Sequence, residues 1–325
     1  MLKGVQQMVR VTQSMLSTNM LRNLNTSYSK MSQYQDMLTS GRKFSRASED
    51  PVAAVKGMKY RVQLDKVQQF QRNINEAESW LDTTDTSLGQ VGDTLNRVKE
   101  LVVQAANDTN TADERKKIRL EIEQIREQIL DVGNTQLGGK YIFSGTKTQT
   151  APFIEDPNDS SQRIVHPDLV DNTGNLTTGG AGAIEIEVFD GIQLQINTTG
   201  APQLFSKIND FLKQVSSALE DPNSSGQQIG DFLGSIADGS DTTLADFQAR
   251  VLDARADVGA RMNRVELMIN RLDIQEINTT KQLSDNEDTD YALTITNMTT
   301  QESIHQAALS VGAKIIQQTL VDFIR

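Results

Sequence analysis

The chain has 325 residues and a formal net charge of −11, with 32 Lys and Arg against 43 Asp and Glu. A nucleic-acid-binding surface needs clustered cations to contact phosphates, so this charge argues against nucleic acid as a partner. The absence of cysteine excludes disulfides, thiol nucleophiles and cysteine-bound metals. Hydrophobic residues make up 37% and aromatic residues 5% of the chain, which is typical of elongated helical proteins with thin cores.

The N-terminal sequence has no continuous apolar region, so we do not expect a cleaved secretory signal peptide. No stretch approaches the ~18 consecutive apolar residues of a membrane-spanning helix. If the protein leaves the cell, we expect it to use another export route.

Both ends of the chain have helical apolar periodicity but few charges. Between Thr12 and Ser40 the only charged side chains are Arg22, Lys30 and Asp36. A surface helix normally has a charged outer face, so helices of this kind are expected to be buried by other copies of the chain or by a partner. The residues we predict for this assembly interface are Leu16, Met20, Leu24, Met31, Leu309, Val311, Ile315, Ile316, Leu320 and Phe323.

A break follows at residues 39–46, with Gly41 as the expected helix stop. Ser48 can cap the next helix, with Glu49 and Asp50 in its first turn, where the helix dipole favours anions. Pro51 is tolerated there because the first helical N–H groups have no partner within the helix.

From Val67 to Ala105 apolar residues alternate at spacings of three and four, which predicts a coiled-coil or bundle helix. Thr111 and Glu114 predict a capping box, and a second seam follows to Val132. A third long seam runs from Leu244 to Leu272. The residues we predict for the core of this rod are Ile74, Leu81, Leu88, Val91, Leu95, Val98, Ile122, Ile129, Val251, Val258 and Val265.

Between these helical regions the composition changes to Gly, Thr, Asn and Pro with β-branched residues. The segment Ile184–Ile196 alternates apolar and polar residues on both sides of Asp190-Gly191, which predicts a β-hairpin. We therefore expect a mainly α protein, in which a long antiparallel coiled-coil or helical-bundle rod carries a small inserted β domain and its helical termini pair in an assembly. The expected divisions are an N-terminal assembly helix at 1–47, a discontinuous rod at 48–138 plus 203–289, a β-rich insert at 139–202 and a C-terminal assembly helix at 290–325.

No constellation of residues predicts catalysis, a metal site or a cofactor. His166 precedes a proline in a predicted loop and His305 lies on the terminal helix, and neither has a second metal-ligating His or Cys nearby. Asp285, Glu287, Asp288 and Asp290 lack the glycine and the distal glutamate of a calcium loop, so we interpret the segment as a solvated linker. Trp80 either flanks the rod core or anchors a partner.

Several motifs carry a resemblance to a known family. They are Val11–Ser17, Leu38–Ala54, Asn134–Phe153, Val258–Glu266 and Leu320–Arg325. In this order they resemble the flagellin superfamily, and the YIFSGT motif at Tyr141–Thr146 together with the Glu49-Asp50-Pro51 step is similar to its hook-associated members. The resemblance begins near Met8, so we expect Met1–Gln7 to be an extension.

The resemblance implies a structural adaptor of the bacterial flagellum that joins hook to filament. It implies assembly as a ring between the first hook-associated protein and flagellin, binding of a dedicated export chaperone, and export through the flagellar type III apparatus to the cell exterior. It also implies that the weakly charged termini order only in the assembly.

Three alternatives stay open from the sequence. The chain could be a filament flagellin, which would polymerise by itself. A helical signalling or membrane-associated coiled coil has similar heptads, but the missing membrane span and the hairpin insert count against it. An enzyme has the least support because no catalytic site is recognisable.

Overall fold

The computed structural model describes residues 13–107, 110–156, 159–170, 177–221, 224–234 and 243–321. Most of these residues are helical, with short antiparallel strands confined to a stretch near the middle of the chain. None of the described helices is long and apolar enough to cross a membrane. The mainly α fold with a small β insert is therefore confirmed.

Eight helices and six strands are described within these ranges. In chain order they are α1 Gln13–Ser40, α2 Pro51–Ala105, α3 Ala112–Gly133, β1 Gln136–Leu137, β2 Lys140–Tyr141, β3 Phe153–Asp156, β4 Asp159–Val165, α4 Thr178–Ala181, β5 Glu185–Phe189, β6 Ile192–Gln195, α5 Ala201–Glu220, α6 Gly226–Asp231, α7 Leu244–Glu287 and α8 Tyr291–Val321.

The chain divides by compactness into two units. The terminal unit comprises residues 1–66 and 276–325, and the central unit comprises residues 67–275. The four divisions that we expect from composition stay a prediction.

The core of the central unit is built on the apolar seam of α2. Every third or fourth residue from Val67 to Ala105 is buried, including the polar Thr84, whose hydroxyl donates to the carbonyl of Trp80 at 2.8 Å. The side chains of α3, α5 and α7 complete this core, and Phe143 and Phe153 from the β insert contact Phe205 of α5. The helices of the central unit and the β insert thus share one apolar core.

Two polar contacts fix the antiparallel register of α2 and α7 in the central unit. Arg255 donates from Nε and Nη2 to the two carboxylate oxygens of Asp85, at 3.0 and 3.1 Å. Gln248 donates to Asn96 at 2.9 Å. The hydrogen bonds from Arg255 to Asp85, with the carboxylate charge, raise the pKa of the guanidinium. This two-bond geometry selects arginine, because a lysine ammonium cannot match both oxygens.

The helices α3 and α5 also run antiparallel within the central unit. Ser216 donates to Glu123 at 3.1 Å, and Arg119 lies 3.7 Å from Glu220. The predicted capping box is present at the start of α3. The hydroxyl of Thr111 accepts from the N–H of Glu114, and the Glu114 carboxylate accepts from the N–H of Thr111 at 2.8 Å. These last bonds lower the pKa of Glu114.

The strands form three separate two-stranded antiparallel sheets among the described residues. The predicted hairpin is confirmed as β5 and β6, with Ile186 opposite Leu194 and a register shift before Phe189. Gly191 adopts a φ of 73° at the turn, a conformation that glycine allows without strain. The buried side chain of Asn197 holds the open end of the hairpin together. It accepts from the N–H of Ile184 and donates to the carbonyl of Gly182, both of which precede β5.

In the terminal unit, α1 and α8 pack side by side in antiparallel directions. Gln301 donates to the hydroxyl of Ser27 at 2.7 Å, and the Tyr28 and His305 rings lie 6.4 Å apart. Gly41 ends α1 as predicted, with a φ of 71° and its N–H donating to Met37. The α1 helix therefore ends at the predicted position.

The prediction that Ser48 caps the second helix is wrong. The helix begins at Pro51, and Asp50 is the cap, since its carboxylate accepts from the N–H groups of Val52 and Ala53 at 3.1 and 2.9 Å. Proline has no N–H and takes the first helical position, so the residue just before it becomes the cap. Glu49 instead folds back to accept from the N–H of Ser45, which lowers its pKa.

The interpretation of the acidic segment as a solvated linker is wrong for Glu287. Helix α7 continues through this residue, whose side chain is only 7% exposed and pairs with Arg61 of α2. Asn286 donates to the carbonyl of Ala53 at 2.9 Å. Packing against α2 thus buries a carboxylate that the local sequence alone marks as a surface residue.

Candidate assembly surface

The described residues contain no group of three or more His, Asp or Glu side chains that could hold a metal ion. His166 accepts from the N–H of Asp168 at 3.1 Å in a loop of the insert. Trp80 is 2% exposed and belongs to the core of the central unit. The helix pair α1–α8 of the terminal unit, by contrast, exposes many large apolar side chains.

The contact between α1 and α8 is a single narrow seam. Gly312 lies so close to Met20 that a Cβ at this glycine would meet the Met20 Cε at 1.5 Å. Ser27 and Thr294 are each 6% exposed and lie on the seam, Thr294 in the first turn of α8. Because small and polar residues fill these positions, the two helices approach closely, while apolar side chains beside them such as Met20 and Met31 are only half-buried.

No large apolar side chain among the described residues of α1 and α8 is fully buried. A fully buried Leu or Met contributes about 1.5–3 kcal/mol, so this pair lacks the contributions on which the central unit depends. Isolated helices are marginal in water unless an amphipathic face packs against a partner. The pair is therefore an incomplete hydrophobic unit.

Exposed apolar side chains lie on both sides of the seam. Those on α1 and α8 that the structure describes are Met15, Leu21, Tyr28, Tyr291, Leu293, Ile295, Ile304, Leu309 and Val311. At about 100° per residue, Leu21 and Tyr28 lie roughly 80–120° around α1 from Met20 and Ser27. The same construction places Ile304 and Val311 on one flank of α8, and Ile295 and Leu309 on the other. Additional helices could pack along either flank.

The residues predicted for the assembly interface fall into three groups. Met20, Leu24 and Met31 are half-buried on the side of α1 that faces α8. Leu309 and Val311 are 49% and 57% exposed. The side chains of Leu16, Ile315, Ile316 and Leu320, and the whole of Phe323, lie outside the described residues. Only the second group is thus placed on an open surface, and an interface role for all of these residues stays a prediction.

The residues predicted for the rod core lie together in the central unit. Each of them is buried and belongs to one continuous apolar cluster: Ile74, Leu81, Leu88, Val91, Leu95, Val98, Ile122, Ile129, Val251, Val258 and Val265.

Sequence reasoning missed a joint between the loops that follow α1 and α7. The N–H of Lys43 donates to the carbonyl of Glu287 at 2.7 Å, and the N–H of Thr289 donates to Gly41 at 2.9 Å. Beneath these bonds, a Cβ at Gly57 would meet the Glu287 carboxylate at 2.1 Å. The joint fixes the direction in which the chain leaves α1 and α7. The one sequence feature that indicates it is Gly57, the glycine within α2.

Both helical ends of the chain match one known family. The bacterial flagellin N-terminal helical region matches residues 11–148, and the C-terminal helical region of the same family matches residues 243–324. These two regions contain every helix of the terminal unit and most of the long helices of the central unit.

Individual relatives are similar over nearly the whole chain. Flagellar hook-associated protein 3 of Escherichia coli is 27% identical over 91% of this chain and 93% of its own length. A flagellin of Clostridium tyrobutyricum is 24% identical over 95% of this chain and 99% of its own. The crystal structure of Bacillus cereus FlgL is 26% identical and matches with a TM-score of 0.51, covering 70% of this chain and 99% of that one. The chain belongs to the bacterial flagellin family, whose members are structural components of the flagellum.

Proposed function

We propose that this protein is the structural adaptor that joins the hook of the bacterial flagellum to its filament. It assembles as a ring between the first hook-associated protein and flagellin, after export by the flagellar type III apparatus with a dedicated chaperone. It acts outside the cell, needs no cofactor and catalyses no reaction. The observation that carries the proposal is the exposed apolar flanks of a helix pair whose own seam fully buries no large apolar side chain among the described residues.

The low charge of α1 indicates what can cover these flanks. Burying an unpaired charge is costly, so a helix that is to be surrounded by other helices needs neutral polar residues between its apolar ones. Helix α1 carries only Arg22, Lys30 and Asp36 as charged residues, and the rest of its polar surface is Ser, Thr, Asn and Gln. Copies of the same chain, or homologous helix pairs of flagellin, offer matching neutral surfaces. The terminal pair is thus suited to a ring and to stacking between related proteins.

The proposal can be tested with a charge on one flank of α8. Leu309→Asp should prevent junction assembly, whereas Ser303→Asp should not, because Ser303 is exposed and lies roughly opposite the seam. Cells lacking the native gene and producing either variant are scored for filaments by electron microscopy and for unassembled flagellin in the medium.

Export of each variant must be measured in the same cultures, by immunoblot of the medium. We expect the Leu309 variant to be exported, with hooks present, filaments absent and flagellin released. Normal filaments on cells that export the Leu309 variant would contradict the proposed role of this flank.

A filament flagellin is the alternative, favoured by the similar identity of the chain to flagellins. The two functions differ in what the protein forms alone. A flagellin extends seeds of its own kind into long filaments, and its deletion leaves hooks with no secreted filament protein. Deletion of an adaptor leaves hooks that shed flagellin. The deletion strain therefore separates the alternatives directly.

A further inference from the structure

The first four turns of α2 expose an apolar face within the terminal unit. Val52, Val55, Met58 and Val62 are 66%, 48%, 55% and 58% exposed. Spacings of three and four residues place them on one side of the helix. We call these four residues the α2 outer face.

This face points away from the neighbouring end of α7. Ala53 and Gly57 form the side of α2 that contacts Asn286 and Glu287. At about 100° per residue, the centre of the α2 outer face lies roughly 150° around the helix from Gly57. The contact with α7 therefore leaves the α2 outer face uncovered.

Basic residues accompany the α2 outer face. Lys56 and Lys59 are exposed beside it, and neither forms an ion pair with another residue in the described parts of the chain. Residues 13–66 contain nine Lys and Arg but only four Asp and Glu, although the whole chain has a net charge of −11. A covering surface should therefore be apolar and acidic.

Such a surface exists on the C-terminal side of the same unit. Tyr291, Ile295 and Glu302 are exposed and lie within about 40° of one another around α8. Asp288 is exposed immediately before this helix. We call these four residues the α8 acidic face. Residues 276–321 contain six Asp and Glu against two Lys and Arg, the reverse of the N-terminal arm.

We infer that neighbouring copies of this chain contact one another by docking the α2 outer face of one copy on the α8 acidic face of the next. Both faces are exposed in a single copy, so neither covers the other within the chain. Because the two faces differ, the contact is heterologous, and a pair of copies keeps one open face of each kind, one on each copy. Such contacts repeat around a ring. The inference rests on the proposed ring assembly and names its lateral interface.

Cysteine cross-linking tests the contact. The native chain has no cysteine, so any disulfide between copies must involve the introduced residues. The full-length Val55→Cys, Ile295→Cys double variant is produced in cells lacking the native gene. Hook–filament preparations are then oxidised and analysed by non-reducing electrophoresis and immunoblot. A heterologous contact predicts a ladder of dimers, trimers and larger multimers, because each copy can bond to two neighbours.

The single variants are the matched controls. Each alone should stay monomeric, and coproduction of both should give dimers but no larger species. Dimers from one single variant would indicate a symmetric contact and overturn the inference. So would a bond within one chain, or a cross-link to a protein of different mass.

Charge reversal provides a second test. Lys59→Glu alone and Glu302→Lys alone should each reduce the number of filaments per cell by at least about tenfold, because like charges would then face each other. The double variant should return to within about twofold of the native protein. Failure of the double variant to improve on both single variants would contradict the pairing. Circular dichroism of the purified proteins should show unchanged helix content.

The two proposals fail in different ways. If cells without the gene still carry filaments, the adaptor function fails, whatever the cross-linking result. If the double cysteine variant supports normal filaments but only monomers appear after oxidation, the lateral contact fails and the adaptor function stands.

Discussion

Truncation of Leu88 should destabilise the central unit strongly. This residue is fully buried in the α2 seam, between the contacts Asp85–Arg255 and Asn96–Gln248 that join α2 to α7. Leu88→Ala removes three carbon groups, worth about 0.8 kcal/mol each in transfer free energy, or about 2.4 kcal/mol together. The cavity that remains adds to this loss, so we expect about 2–5 kcal/mol in the free energy of unfolding.

Leu88→Asp should cost more than the alanine variant, because an unpaired carboxylate would enter the same apolar site. Urea unfolding followed by circular dichroism measures both variants. The matched control is Leu252→Ala on α7, where the leucine is 63% exposed and the loss should stay within about 0.5 kcal/mol. If the Leu88→Ala midpoint equals that of the Leu252 control, the seam is not the stabilising core that we infer.

Two further predictions concern glycine and pH. Gly259→Ala should stabilise the protein by about 0.5–1 kcal/mol, because a Cβ there meets no atom within 4 Å and α7 is helical. Gly57→Ala should destabilise it, since the new methyl group would displace the buried Glu287 carboxylate; thermal unfolding of both variants checks the contrast, and equal effects would contradict it. The lowered pKa of Glu114 means that its hydrogen bonds to Thr111 stabilise α3 above the ordinary glutamate pKa and are lost as pH falls through the lowered value. Glu114→Gln should therefore weaken the pH dependence of stability as the pH falls below the ordinary glutamate pKa, and an unchanged dependence in urea titrations would argue against this bond.

The long seams could be predicted from sequence because their information is local. From Val67 to Ala105 every apolar residue at a spacing of three or four is buried, and one helix with one buried side satisfies the whole pattern. The hairpin at Gly191 is local in the same sense, since turn chemistry and alternation occur within a dozen residues.

Other features depend on residues that are distant in the chain. Glu287 belongs to an acidic run, and it is buried only because Gly57 leaves room for its carboxylate and Arg61 pairs with it. Periodicity also cannot say which helix covers an apolar stripe. It identified Met20 and Met31 as interface residues, but they lie on the side of α1 that faces α8, while Leu21 and Tyr28 beside them stay exposed.

The terminal pair α1–α8 has no fully buried large apolar side chain among its described residues, whereas the central unit has many. We therefore expect the terminal pair to be less well ordered in the monomer. Amide protons exchange through local opening, whose free energy follows the apolar surface that an element buries. The α1–α8 seam fully buries Ser27, Thr294 and Gly312 but its apolar side chains only in part, whereas Leu88 and Leu95 of the α2 seam are fully buried. Amides of α1 and α8 in a dilute monomer should therefore exchange much faster than those of α2 in the central unit. Mass spectrometry of the same peptides in hook–filament preparations should show α1 and α8 protected, because neighbouring copies then cover their flanks. Equal protection of all three helices in the monomer would mean that the terminal pair is stable alone, and that covering its exposed apolar flanks is not what drives assembly.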